Sequence, residues 1–335
     1  MAIGGEKTLM LTVMRNEGPY ILEWLAHHFA LGFDDLLIFT NFCTDNTDKI
    51  LDRLEIMMPH RVKHQPNPKV MFPERGKWHI MALRYAGFFG RYRSADWLYV
   101  TDADEFLNLK GDICTLDELT TKTGPFDAIS FTSVAFGSNG HKHASKDLVT
   151  QRFTRTSIDF EAAAKNSKPA LTAVKTLYRN TIVGPRRPHR PVTKEFSKTG
   201  ETWINGSGSV LPPEWTDGAG KAIKGNGTRD LAQLNHYAVK SAAEFLLKVE
   251  RGDAVDASRL GASERYWAHG NQAGNIEKSC VGMSAAAQDM YDYFLSDPEL
   301  NELHQQSFAL REAQLAEILK TESGEKLASA IGYFS

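Results

Sequence analysis

Trp97-Leu98-Tyr99-Val100-Thr101-Asp102-Ala103-Asp104-Glu105-Phe106 is a short apolar run that stops at three acidic side chains. A buried strand that ends this way delivers carboxylates to the edge of a sheet. Successive strand side chains point to opposite faces, so a strand through this stretch would set Asp102 and Asp104 on one side, converging on one hard cation. Magnesium or manganese suits such a pair. These ions are held by one or two carboxylates and fill their shell with substrate phosphates, which makes a nucleotide the expected ligand. A lone Asp-x-Asp is equally explained by acids that solvate a strand end or cap the next segment, so the flanking chain has to decide.

Upstream, Thr8 to Met14 is a continuous apolar and β-branched run, which predicts a strand covered on both faces. Helical spacing follows, with Asn16 as N-cap, Pro19 in the first turn, and Ile21, Trp24, Leu25 and Phe29 on one stripe up to Gly32. Leu36 to Thr40 reads as a second strand. The polar turn from Asn41 to Asp48 then leads into a helix carrying Ile50, Leu51, Leu54 and Met57, closed by Pro59. A loop and a third helix over Gly76 to Phe89 precede the acidic strand. This alternation predicts an α/β fold, a Rossmann-like, mostly parallel sheet flanked by helices, which binds ligands beyond the carboxyl ends of its strands. Arg15-Asn16-Glu17, Asn41 to Asp48 and Asp102 to Glu105 all fall at such ends. The chain has no Gly-x-Gly-x-x-Gly after the first strand and no Gly-x-x-x-x-Gly-Lys-Ser/Thr, so the dinucleotide-oxidoreductase and P-loop readings lack their phosphate loops.

The composition of the 335 residues is that of an ordinary globular protein, and a formal net charge of -2 gives no global reason to expect nucleic acid as a partner. Charge arguments must therefore be local. Cys43, Cys114 and Cys280 are far apart and leave one over in any disulfide scheme, which predicts a reducing compartment. No apolar run approaches the ~20 residues that span a bilayer, and the first residues lack a basic segment leading into an apolar stretch. The expectation is a cytoplasmic chain with no membrane span.

The ordered series Arg15-Asn16-Glu17-Gly18-Pro19-Tyr20-Ile21-Leu22-Glu23-Trp24-Leu25, Asp45-Asn46-Thr47-Asp48, Asp96-Trp97 and Asp102-Ala103-Asp104-Glu105-Phe106 resembles the glycosyltransferase family 2-like proteins of GT-A fold, in their bacterial branch. Phe136-Gly137-Ser138-Asn139-Gly140-His141 and Asn235-His236-Tyr237-Ala238-Val239-Lys240-Ser241 are similar to later segments of that branch. The resemblance implies a GT-A (nucleotide-diphospho-sugar transferase) catalytic domain over residues 8–239 with a helical C-terminal extension over 240–335 packed on it. It implies a hexosyltransferase-like enzyme that uses a divalent metal, Mn2+ or Mg2+, to move a sugar from a nucleoside-diphosphate sugar to the hydroxyl of a glycan, lipid-linked or small-molecule acceptor, with inversion. Asp102 and Asp104 would hold the metal on the diphosphate, and Glu105 would orient the site. Asp45 would help hold the nucleoside, and Arg15, Asn16 and Glu17 would meet the base and ribose. His236 is the candidate third metal ligand, since a neutral imidazole accepts manganese.

Ser241-Ala242-Ala243-Glu244 has the spacing of a capping box opening a helix just after His236. Lys248 and Arg251 on that helix are candidates for phosphate contact. Lys77, with Arg84, lies on the helix before the acidic strand and either neutralises diphosphate or covers a solvated face. From Lys165 to Lys198 the chain is locally basic, with Pro185, Pro188 and Pro191 holding part of it extended, and reads either as a site for an anionic acceptor or as a solvated loop. An inverting transfer needs a base on the acceptor hydroxyl. His141, in a loop opened by Gly137 and Gly140, is the first candidate, ahead of Asp159 and Glu161. Gly206 to Gly227 reads as a mobile loop that closes over the donor, and Ala285 to Leu295 and Glu302 to Leu319 read as helices. Two rival functions fit the same acids: a nucleotidyltransferase, and a non-catalytic nucleotide- or carbohydrate-binding protein of the same fold.

Overall fold

The computed structural model describes residues 3–157, 171–184, 186–218, 220–224, 228–250, 260–272 and 274–335. Asp159, Glu161, Lys165, Lys168, Pro185 and Arg251 lie outside the described residues. Ten strands form one mixed sheet: β1 Thr8–Met14, β2 Asp35–Thr40, β3 Val62–Pro66, β4 Trp97–Val100, β5 Glu105–Leu109, β6 Ala128–Ala135, β7 Leu171–Arg179, β8 Trp203–Asn205, β9 Ala222–Lys224 and β10 Ala232–His236. The principal helices are α1 Ile21–Ala30, α2 Thr47–Met57, α3 Trp78–Ala86, α4 Leu116–Thr123, α5 Ala242–Glu250, α6 Leu260–Gly270, α7 Ala285–Ser296, α8 Pro298–Ile318 and α9 Glu322–Ala330.

The sheet runs β3-β2-β1-β4-β7-β6-β10-β5, with β8 on β6 and β9 on β7. The first four strands are parallel, and β7 then enters antiparallel between β4 and β6. The pattern of β1 explains its two covered faces. Met10 and Met14 join the core that holds Trp24 and Leu25 of α1, while Leu9 and Leu11 join the core that holds Ala82, Leu83 and Ala86 of α3. The α/β architecture expected of the sequence, one sheet flanked by helices, is thus the one observed, with a sheet that is mixed and not mostly parallel.

Three boundaries differ from the sequence reading. β3, Val62-Lys63-His64-Gln65-Pro66, lies at the sheet edge with two of its residues buried, and its polar alternation hid it inside the expected loop. The helix expected over Gly76 to Phe89 runs only from Trp78 to Ala86, with Gly87 as its C-cap. The stretch from Gly206 to Gly227 is not an open loop where it is described: β9 pairs with β7, and Thr216 and Ile223 are buried.

The C-terminal helices pack on the sheet domain. α7 lies on α1, α8 on both α2 and α5, and Phe294 and Leu300 share one core with Ile21 and Trp24. Gly18 shows how close the seat is. A Cβ there would stand 2.7 Å from the Asp45 carbonyl oxygen and 2.8 Å from Ser307 Cβ. No helix among the described residues is long and apolar enough to cross a membrane.

Candidate active site

Strand β4 ends at Val100, and Asp102 and Asp104 sit in the turn that follows it, before β5 begins at Glu105. The expectation that both acids share one face of a strand is corrected accordingly. The tight reversal from β4 into β5 positions them, and Glu105 builds it. Its Oε2 accepts hydrogen bonds from Asp102 N at 2.9 Å and Thr101 Oγ1 at 3.1 Å, beneath the turn and 4% exposed. Glu105 therefore holds the loop through its own carboxylate.

The antiparallel entry of β7 carries a cation to the same spot. Tyr99 pairs with Leu177, and Lys175 lies two residues earlier on β7, on the same face as Leu177. The Lys175 ammonium, 1% exposed, lies 2.8 Å from Asp102 Oδ2 and 3.3 Å from Glu105 Oε2, and it donates to the Pro188 carbonyl at 3.0 Å. The other oxygen of Asp102 meets His79 Nε2 of α3 at 3.1 Å. Asp104 is served from the far side. Lys248 of α5 lies 2.8 Å from its Oδ2, and His236, paired with Glu105 across β10 and β5, brings Nε2 to 3.6 Å from its Oδ1.

These pairings set the charges. Burial alone would raise the carboxyl of Asp102, but the Lys175 ammonium, and then His79, outweigh it and hold the group well below the ordinary aspartate range. Asp104 follows the same pattern. Burial works against it, and Lys248 and His236 hold it well below its ordinary value. Burial wins at Glu105, which is raised in spite of Lys175 because the Asp102 charge adds to the penalty. His236 is raised, since Asp104 overcomes the burial that would lower it. His189, beside Lys175, is lowered to about 4 by burial and then by that ammonium.

Lys240 completes the set. It holds φ at +52° between β10 and α5, is buried, and lies 4.4 Å above the Tyr20 ring. Burial lowers its ammonium, while Glu17 and Asp104 work the other way. The arrangement is a turn with two ionised aspartates, ringed by Lys175, Lys240, Lys248, His79 and His236. Such a ring suits a diphosphate: carboxylates for a cation, and ammonium groups for the charge on the phosphates.

Other expected site residues are placed differently. Asn16 is not a helix N-cap. It has φ +56°, and its side chain locks the turns after β1 and β2 together, accepting from Thr44 N at 2.8 Å and donating to Thr44 Oγ1 at 3.0 Å. Helix α1 begins only after Tyr20. Asp45 is fully buried, and its oxygens accept from Gly18 N, Thr47 N and Thr47 Oγ1, so its carboxylate holds the turn after β2. Glu17 is also buried, with its amide on Thr47 Oγ1, while Arg15 remains half-buried at the end of β1. Lys77 is exposed at the start of α3, and His79, two residues on, is the side chain that reaches the site.

His141 lies in its Gly-bounded loop with Nε2 on the Arg152 carbonyl at 3.1 Å, and its own carbonyl accepts from Ala242 N at the head of α5. The capping box of Ser241 and Glu244 forms as read, and Arg152 makes a bidentate pair with Glu244 at 2.7 and 3.0 Å. The basic stretch after β7 is divided: Arg187, Lys194 and Lys198 are exposed, while two arginines are engaged inside the fold. Arg186 donates to the carbonyls of Asn180 and Ile182, and Arg190 stacks over Trp203 and donates to the Trp215 carbonyl. Lys240 and His79 were given no site role from the sequence, and Lys175 was read only as one member of the basic stretch from Lys165 to Lys198. The position of Lys175 at the centre of a β-prone run, Leu171–Arg179, was the signal available for its place in the sheet.

The family model of glycosyltransferase family 92 matches residues 14–196. The chain belongs to glycosyltransferase family 92. That assignment stands in place of the family 2-like branch suggested by the sequence motifs and keeps the glycosyltransferase class. A family 92 protein of Ricinus communis is 27% identical over 146 residues, covering 43% of this chain and 25% of the relative. Another, from Oryza sativa subsp. japonica, is 25% identical over 145 residues, covering 43% and 24%. The chain thus spans about a quarter of the length of these curated relatives. Among solved structures, S. aureus TarS 1–349 in complex with UDP overlays with a TM-score of 0.30 at 14% identity, over 52% of this chain and 47% of that one. The family 92 match includes the Asp102 turn, His79 and Lys175, whereas Lys240, Lys248 and His236 lie beyond it.

Proposed function

We propose that this family 92 chain transfers a sugar from a nucleoside-diphosphate sugar to an acceptor hydroxyl, with inversion, at the turn that carries Asp102 and Asp104. The observation that carries the reading is two aspartates in one turn, faced by two lysines and two histidines. Lys175 and Lys248 each take one oxygen of an aspartate, and His79 and His236 face the other.

The donor set fits a divalent cation. Among the described residues no three histidine, cysteine or acidic side chains are gathered as a closed cage. Magnesium and manganese accept an open site of two carboxylates completed by phosphate oxygens, and manganese also accepts neutral imidazole. Asp102 and Asp104 would hold the ion, with His236 beside Asp104, and a bound ion would offset charge on the departing diphosphate. Lys240 and Lys248 add fixed positive charge beside it. Glu105 and Lys175 keep the turn in one shape, so the aspartates need not reorganise during the reaction.

His141 is the proposed base. A carbonyl only accepts, so the contact with Arg152 puts the proton on Nε2 and leaves Nδ1 of the neutral ring as acceptor. Arg15, Asn16 and Glu17 remain the proposed lining for the nucleoside, with Lys77 at the mouth.

The test is a thermal-shift series of nucleoside diphosphates and nucleotide sugars with manganese, magnesium or chelator, on the wild type and Asp104→Asn. The expected outcome is stabilisation by one nucleotide family that needs metal and is lost in the variant. Equal stabilisation of a folded Asp104→Asn would refute the site. Pyrophosphate release from a nucleoside triphosphate, without sugar transfer, would replace the reading with a nucleotidyltransferase. The anomeric configuration of the product tests inversion.

A further inference from the structure

Between Lys69 and Arg93 the chain carries Lys69, Arg75, Lys77, Arg84, Arg91 and Arg93 against one acid, Glu74, although the whole chain has a net charge of -2. The same segment exposes large apolar side chains. Met71 is 78% exposed, Phe88 74%, Phe72 41% and Tyr85 40%. Charge and apolar surface are interleaved: Lys69 Nζ lies 5.5 Å above the Trp78 ring, and the Arg75 guanidinium 5.3 Å above that of Phe72. Phe42, 58% exposed at the turn after β2, meets Trp78 edge-on at 5.7 Å and widens the face, and Tyr85 and Phe88 extend it along α3 at 5.7 Å from each other.

An aqueous surface gains nothing from this composition. Exposed aromatic and aliphatic groups set among cations match two features of one partner, the apolar boundary layer of a bilayer and its anionic headgroups. A nucleic acid would use the cations and stack on rings such as Phe88, but it would leave the aliphatic Met71, 78% exposed, in water. We infer that the outer face of the segment Lys69–Arg93 docks the protein on an anionic lipid surface. The same helix turns His79 inward to Asp102, so a docked protein would hold its candidate site next to the bilayer. Taken with the proposed sugar transfer, on which this one step rests, that position selects a lipid-linked acceptor over a soluble one.

The experiment is flotation of the full chain with vesicles of phosphatidylcholine alone or mixed with phosphatidylglycerol, at low and high salt. The wild type should float with the mixed vesicles, release at high salt, and ignore phosphatidylcholine. Arg75→Glu with Arg93→Glu should cut the partitioning by at least about tenfold, since each surface cation contributes on the order of a fivefold gain. Phe72→Ser with Phe88→Ser should weaken it as well, with unchanged melting temperature, because these rings are exposed. Failure to float, equal flotation of the variants, or binding to neutral vesicles alone would overturn the proposal. So would a wild-type dimer that becomes a monomer in the Phe72→Ser, Phe88→Ser variant, which would make the face a contact between copies. Nucleotide-dependent thermal shifts, read on the same variants, should be unaltered, so failure to dock and failure of the sugar-transfer reading are seen separately.

Discussion

Replacing Lys175 by methionine removes the one cation that Asp102 and Glu105 share while keeping most of the volume of the side chain. The ammonium is 1% exposed and Glu105 5%, so both are deep, but a third of the Asp102 side chain reaches solvent. Breaking a buried ion pair from one side costs about 3–5 kcal/mol because a charge is left uncompensated, and the partial exposure of Asp102 argues for the lower end, about 3 kcal/mol. At roughly 2 °C per kcal/mol for a chain of this size, that is a fall of roughly 6 °C in Tm. The sign of the pH dependence follows from the carboxyls. In the wild type Asp102 is held below its unfolded value, so its charge stabilises the fold at neutral pH and that gain is lost only in strong acid. In Lys175→Met, burial dominates both acids, their folded values rise above the unfolded ones, and the fold takes up protons as pH falls. The gap between variant and wild type should therefore narrow from about pH 8 to about pH 5. Urea unfolding with chelator present measures it without metal. Adding Glu105→Gln should recover part of the loss, since the amide oxygen still accepts from Thr101 and Asp102 N while one stranded charge is gone. A loss under about 1 kcal/mol, or a gap that does not change with pH, would refute the argument that Lys175 holds the acidic turn by charge.

Three other outcomes are expected. Arg152→Met should destabilise by about 3–5 kcal/mol in denaturant unfolding, because Glu244 is buried, loses a bidentate partner, and also caps α5; an unchanged midpoint would show that the pair is not stabilising. Gly18→Ala should cost about 1–3 kcal/mol, since the added methyl meets the Asp45 carbonyl and Ser307 on α8, and a neutral result would mean that α8 shifts freely. His141→Gln should leave donor-dependent thermal stabilisation intact and lower kcat by about 100-fold or more; an equal fall in donor binding would move the residue from base to binding.

What the sequence made readable is what short-range pattern determines. β1, α1, β2 and α2 followed from the period of their apolar residues, and the capping box at Ser241 and Glu244 from spacing alone. β3 stayed hidden because an edge strand needs no continuous apolar run. Asn16 has the right residue type for an N-cap, but its amide satisfies the turn after β2, a contact 28 positions away. At Asp45, an acid in a turn between strand and helix, three local donors engage the carboxylate, a use that residue type and position alone do not reveal.

The candidate site was half visible for the same physical cause. The aspartates announce themselves, being acids at the end of an apolar run. Their partners reach the turn by long-range pairing: Lys175 through the antiparallel insertion of β7, His236 through the register of β10 on β5, and Lys248 from α5, 144 positions from Asp104. An acidic motif on a parallel sheet reads from sequence as a place for a cation. In the folded chain two of its oxygens already answer to lysines, so any divalent ion enters a turn whose shape is fixed by the protein's own charges. That order of construction explains why Glu105, the most enclosed of the three acids, is raised while both aspartates are lowered. Its burial supports a turn that keeps Asp102 and Asp104 ionised, and only ionised aspartates can share a cation with a diphosphate.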